Sequence, residues 1–149
     1  MTGEDETAAR VWARVLSMYR AAERGDSARV DEHIREDATL WDTDEATLIR
    51  GLTELHEVRG RRPDPGEDAF FEIEARDPVV DVLGGVALIR HVFRVRKPGG
   101  AQWTFVRNTS VWERQDGEWF LRHNHEDVQG DADRIGPWRT DAAASTPSA

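Results

Sequence analysis

The sequence contains no cysteine. That removes disulfides, zinc-thiolate sites and thiol nucleophiles together, and it is silent on compartment. No apolar run approaches the roughly 18 residues a membrane span needs. Met1 to Glu6 carry acidic residues where a signal peptide would carry a basic and then an apolar stretch. A cytoplasmic chain with no membrane partner is the expectation. There is no phosphate-binding glycine loop, no dinucleotide fingerprint and no serine–histidine–aspartate order, so no cofactor is expected. Basic charge is also short, with 20 Lys and Arg against 29 Asp and Glu, a net charge of −9. Such a chain repels phosphate backbones, which argues against a nucleic-acid partner. What remains, in 149 residues with six Trp and a single Tyr, is one domain large enough to bury its own core.

Apolar spacing organises that domain. Val11, Trp12, Val15, Leu16, Tyr19 and Ala22 recur at helical intervals behind Thr7 as N-cap, and Gly25 ends the helix. A short second helix carries Val30 and Ile34. Ala38 to Asp42 reads as a strand that Thr47 to Arg50 pairs with across an acidic turn. Leu52, Leu55 and Val58 predict a third helix ending near Gly60, and Arg61 to Asp68 reads as a loop. The period then becomes two: short runs at 71–75 and 79–83, long strands at 86–97 and 101–114, and a last strand at 118–127 after the Asp116-Gly117 turn. Residues 1–6 and most of 129–149 are expected to be disordered, with the domain at 7–128. The result is an α+β architecture, a cone-shaped, curved, mostly antiparallel sheet with three N-terminal helices packed on its concave face and an apolar pocket between them.

Strand parity sorts the polar residues. Arg90, Arg94 and Arg96 share a face with Val86, Leu88 and Val92; His91 lies with Ile89, Phe93 and Val95. Asn108 and Ser110 lie with Trp112, opposite Trp103 and Phe105. On the last strand Asn124 and Glu126 oppose Trp119, His123 and His125. Both sheet faces carry apolar residues, so the second face is expected to pair with another subunit in a homodimer or larger assembly. His123, His125 and Asp127 share a side at a spacing that suits a metal, but nothing supplies further ligands and no metal is assigned. Asp42, beside Trp41 at the pocket mouth, reads either as a partly desolvated base or as a turn-forming aspartate. Arg90, among apolar neighbours, needs an anion: a ligand, or Glu126 or Asp42. His56 is a pocket or a surface residue, and Tyr19 a core residue whose hydroxyl reaches the pocket lip. Arg59, Arg61 and Arg62 read as a solvated helix end.

The succession of a helix, Gly25-Asp26, a second helix, Glu36 to Asp42, a helix led by Gly51, and a meander ending Val111 to Trp119 resembles the nuclear transport factor 2-like superfamily, and within it the SnoaL-like domains. Trp41 to Arg59 and Trp112 to His125 resemble the association (hub) domain of calcium/calmodulin-dependent kinase II and its stand-alone bacterial relatives. The resemblance spans about residues 8–128. It places Asp42 on the catalytic aspartate of ketosteroid isomerase-like members. The oxyanion-donor positions hold Met18, with Tyr19 one residue away, and Ser110. It places His56 and Arg90 on hub pocket positions, Ser110 and Glu126 where hubs carry further arginines, and Asn124 nearest the acid/base of SnoaL-type polyketide cyclases. The resemblance thus implies a small-molecule pocket protein, a cofactor-independent isomerase, dehydratase or cyclase with Asp42 as base. Arg90 and His56 would hold the anionic group, an oxyanion or a carboxylate, of a small organic ligand, and Trp41, Tyr19, Asn108, Ser110 and Asn124 would line its site. The alternative it implies is a non-catalytic association or ligand-binding module.

Overall fold

The computed structural model describes residues 2–62, 71–130 and Trp138. The elements run α1 (Gly3–Glu23), α2 (Ser27–Asp31), β1 (Ile34–Trp41), β2 (Ile49–Arg50), α3 (Gly51–Arg61), β3 (Glu72–Leu83), β4 (Val86–Arg96), β5 (Thr104–Gln115) and β6 (Glu118–Gln129). One six-stranded sheet has the order β2-β1-β6-β5-β4-β3. Every pairing is antiparallel except β1 with β6, which is parallel because the chain returns to β1 from the far end of the meander. This is the mixed α+β architecture the sequence implied. The loop expected at 61–68 and the tail beyond Gly130 lie mostly outside the described residues.

Helix α1 starts earlier than its spacing suggested. Thr2 caps it, accepting from Asp5 N while Asp5 answers to Thr2 N, and Glu4, Asp5 and Glu6 sit in the first turn. That capping box and the acids beside the positive end of the helix make residues expected to be disordered a helix start. Thr7, expected as the cap, instead bonds back to Gly3 O inside the helix. The second helix is shorter than expected and excludes Ile34. His33 bonds Arg29 O and Ser17 Oγ, turning the chain out of the helix so that Ile34 opens β1 opposite Leu121. The two short runs expected at 71–75 and 79–83 form one edge strand, β3. A register shift between Arg76 and Val79, with Asp77 at φ 56°, accommodates Pro78 there.

Which face of each strand meets the helices is settled by burial. On β4, Ala87, Ile89, His91 and Phe93 are buried against α1, while the arginine set faces outward and pairs with β3 acids: Arg94 with Glu74, Arg96 with Glu72 and Arg90 with Asp81. Arg90 is therefore not a core-facing arginine. On β5, Val106, Asn108, Ser110 and Trp112 face inward. On β6 a bulge intervenes: Trp112 pairs with Leu121 but Val111 pairs with His123, leaving Arg122 as the extra residue. One inserted residue exchanges the faces of everything beyond it. Trp119, Leu121 and, beyond the bulge, Asn124 are consequently buried on the helix side, Glu126 lies half-buried on that same side, and His123 and His125 turn outward. Trp119, expected at an interface, belongs to the core.

The outer face is not bare. Arg94 and Arg96 stack on the Trp103 ring with guanidinium carbons 4.0 and 4.1 Å from its centroid. Trp138, in the C-terminal tail, donates its indole N–H to Glu74 Oε2 at 3.0 Å and lies beneath Arg76 and Arg94. The aromatic faces attract these cations, and their acidic partners are Glu74 for Arg94, Glu72 for Arg96 and Asp77 for Arg76.

Candidate functional site

A cavity of about 330 Å³ lies between α1, α3 and the concave sheet face. Met18 and Tyr19 from α1, Leu40 from β1, Leu55 from α3, Phe93 from β4 and Leu121 from β6 make its wall apolar. Charge is concentrated where β1 and β6 end side by side. Their parallel pairing brings Asp42, just past β1, beside Asn124 and Glu126 of β6, and the end of α3 adds Arg59 and Arg62. A broader trough of about 440 Å³ lies on the opposite sheet face, but its arginines are already paired, Arg90 with Asp81 and Arg107 with Asp127.

The two carboxyl groups at this end live differently. Asp42 is engaged through both oxygens: Oδ1 accepts Asp44 N at 2.9 Å, an Asx bend, and Oδ2 lies 3.0 Å from the Arg62 guanidinium. It is at once the turn former and a cavity carboxylate. Glu126 accepts one long bond, 3.3 Å from Asn124 Nδ2. It is half-buried and lines the cavity. Enclosure, and then the negative charge of Asp42, push its pKa up to about 7, against the Asn124 amide and Arg62, which pull it down. Near neutrality Glu126 therefore exists in both protonation states.

Behind the cavity wall lies a second polar group. The Tyr19 hydroxyl is 2.7 Å from His91 Nε2, and burial holds His91 neutral with a pKa lowered to about 4. Burial also raises Tyr19 well above its ordinary value, with the charge of Glu126 adding to it.

The remaining candidates divide cleanly. Asp42, Tyr19 and Asn124 line the cavity, and Asn108 stands behind Asn124, donating to its Oδ1 at 2.8 Å. Ser110 is buried off the cavity, accepting from Trp112 Nε1 at 3.0 Å. Trp41 is 39% exposed on the outer side next to His125. His56 and Arg90 are outside the pocket. The His56 side chain is exposed and bonds Asp31 at 2.8 Å, since its position on α3 faces α2 rather than the cone interior. Arg90 sits on the outer face for the parity reason given above. His123 and Asp127 are taken by Thr39 and Arg107. Sequence reasoning missed His91 and Arg62 as neighbours of the site and gave Glu126 no catalytic part. The signal for Glu126 was present in its parity with Asn124. Arg62, read as a solvated helix end, is instead the counter-ion of Asp42, and Arg59 pairs with Asp31 at 2.8 Å.

Residues 11–128 match the SnoaL-like domain. The chain belongs to that family. No curated protein matches it. Among solved structures, this SnoaL-like chain is similar to the CaMKII hub homology domain of Chlamydomonas reinhardtii, with 24% identity, 83% of this chain and 98% of that one covered, and a TM-score of 0.71. It is similar to an NTF2-like protein of unknown function from Pseudomonas putida KT2440 at 19% identity, with 87% and 92% covered and a TM-score of 0.70. A candidate dehydratase of the NTF2-like family from Streptomyces avermitilis gives 19% identity, 82% and 95% covered, and a TM-score of 0.70. At these identities the likeness is one of fold. Among the described residues no helix is long and apolar enough to cross a membrane, and no three metal-binding side chains converge.

Proposed function

We propose that this SnoaL-like domain binds a small, largely apolar carbonyl compound in its cavity and moves a proton on it, with Glu126 as the acid/base and Asp42 as its electrostatic partner. The observation that carries this reading is the pair of carboxyl groups in unlike settings at one end of an apolar cavity. Proton-transfer sites are built by driving such environments apart. The family resemblance put the base role on Asp42, but both Asp42 oxygens are occupied, whereas Glu126 keeps most of its acceptor capacity among the described residues. In the step, the C–H bond next to the carbonyl breaks and its proton goes to the Glu126 carboxylate. Its electron pair enters the enolate, and the protonated Glu126 then returns the proton to another carbon or to a departing hydroxyl. The chemistry balances without an oxidant or cofactor. Isomerisation, dehydration and cyclisation share this step. A carboxylate-bearing ligand loses its support, because both cavity arginines already have acidic partners; a neutral ligand fits better.

The test is hydrogen–deuterium exchange next to the carbonyl, followed by proton NMR in D₂O over a panel of small cyclic and aromatic ketones and hydroxyketones. Protein-dependent exchange in a member that also raises the melting temperature is expected. Binding without exchange across the panel overturns catalysis and leaves a binding module. Asp42→Asn provides a check on the electrostatics. Removing that charge and releasing Arg62 lowers the Glu126 midpoint by about one unit, read by NMR titration of its carboxyl carbon. An unmoved midpoint would show that Asp42 does not act on Glu126.

A second reading, self-association, is favoured by Trp41, Val79 and Leu83, which stand 39, 54 and 66% exposed on the outer sheet face. The fold likeness to a hub homology domain supports it. Sedimentation at micromolar concentration is expected to give a dimer or larger species; a monomer throughout would remove this reading.

A further inference from the structure

Two buried polar atoms, among the described residues, have no hydrogen-bond partner and lie on neighbouring strands: His91 Nδ1 and Asn108 Oδ1. His91 and Asn108 are register partners on β4 and β5, 5% and 4% exposed, with both side chains on the concave face. Such partners have Cβ atoms about 5 Å apart, so their polar ends approach within bridging distance.

The hydrogen-bond directions follow from the Glu126 end. An ionised carboxylate only accepts, so the group that Asn124 turns toward Glu126 is its NH₂. Asn124 Oδ1 must then accept, and it does so from Asn108 Nδ2 at 2.8 Å. That leaves Asn108 Oδ1 as an unpartnered acceptor on the same concave face as its register neighbour His91. Were His91 Nδ1 unprotonated, two buried acceptors would adjoin each other. With the proton on Nδ1, a donor adjoins an acceptor, and Nε2 is left to accept from the Tyr19 hydroxyl at 2.7 Å. Every donor in the row then points the same way, from α1 across β4, β5 and β6 to Glu126.

We infer that His91 and Asn108 hold one buried water between them, and that Tyr19, His91, Asn108 and Asn124 form a one-directional hydrogen-bond chain that positions the Glu126 carboxylate. A water that accepts from Nδ1–H and donates to Oδ1 satisfies both orphan atoms, whose burial without partners would otherwise be costly. Bonds aligned in one direction polarise each other, so the chain stabilises negative charge at its end. All four are positioning residues. The inference rests on the reading of Glu126 as the acid/base. The other groups that act on Glu126 are Asp42 and Asp44 beyond β1 and Arg62 after α3, and the variants below leave all three in place.

The experiment titrates the Glu126 side-chain carboxyl by carbon-13 NMR in the wild type, Asn108→Ala, Tyr19→Phe and, as a control, Val106→Ala. Val106 is equally buried on β5 but outside the chain. Asn108→Ala should raise the midpoint by about one unit, since the Asn124 donor is no longer held. Tyr19→Phe, the mildest change and the one that spares folding, should raise it by about 0.3 unit. Nitrogen-15 shifts of His91 should show the Nδ1–H form in the wild type and a tautomer mixture in Tyr19→Phe. Val106→Ala should lower stability without moving the midpoint. A wild-type midpoint near 7 that neither chain variant moves overturns the chain while leaving the acid/base reading intact. So does a His91 protonated at Nε2. A wild-type midpoint at the ordinary glutamate value overturns the acid/base reading itself.

Discussion

Glu126→Gln should make the protein more stable above pH 7 by about 3 kcal/mol and, in the same protein, lower carbonyl-adjacent exchange by about 10²–10⁴-fold. The stability figure follows from linkage. The Glu126 pKa is raised from 4.5 in the unfolded chain to about 7 in the fold. Below pH 4.5 both states hold the proton and Glu126 is neutral to stability. Between 4.5 and 7 the unfolded chain releases it while the folded one keeps it, so stability falls as pH rises, and the loss is complete above 7. Glutamine never ionises and escapes that loss. Wild type and variant should therefore melt together near pH 4 and separate by roughly 10 °C at pH 8. Scanning calorimetry across that range reads the effect directly. Curves that stay superimposed at pH 8 would mean that Glu126 ionises without penalty and is not enclosed. A more stable protein that has lost its chemistry is the behaviour expected of a residue retained for function at a cost to the fold.

Gly51→Ala should cost about 2–3 kcal/mol, read as a lower urea midpoint with an unchanged slope. Gly51 opens α3 at φ +80°, and a Cβ placed there would stand 2.9 Å from Glu36 O, a backbone atom of β1 that cannot swing aside. The backbone conformation and the clash act together. Gly60 is the internal control. It lies near the end of the same helix with nothing within 4 Å of a Cβ, so Gly60→Ala should stabilise by about 0.5–1 kcal/mol. Equal effects at the two glycines would refute the close approach of α3 to β1. The consequence reaches the site, because α3 carries Leu55, Arg59 and Arg62 to the cavity. A helix displaced at Gly51 withdraws the counter-ion of Asp42.

How much of this could be read from residues alone is clearest on β4 and β6. Alternation correctly separated Arg90, Arg94 and Arg96 from Ile89, His91 and Phe93, because side chains on a strand point to opposite faces whatever surrounds them. It could not say which set faced the helices, because Val86, Leu88 and Val92 make the arginine face look as apolar as the other. The deciding contacts, Glu72, Glu74 and Asp81 on β3, are cross-strand neighbours that only the register supplies. Arg90 was misplaced for that reason. His56 was misplaced because helical spacing gives a stripe but not the identity of the element the stripe's edge meets, here Asp31 of α2.

The sequence by itself determined the absence of thiol chemistry, the α+β order of elements, the hairpin at Asp116-Gly117 and the membership carried by residues 11–128. These depend on composition and on spacings within one segment. Tertiary structure alone decided that Arg122 is a bulge residue and that β1 and β6 run parallel, which sets Asp42 beside Glu126. It also decided that Trp138 returns to the outer face and that its surroundings raise the Glu126 pKa to about 7. Each of these arises from residues far apart in the chain. Burial and Coulomb interaction depend on distance in space, and a single inserted residue on a strand reverses every face beyond it.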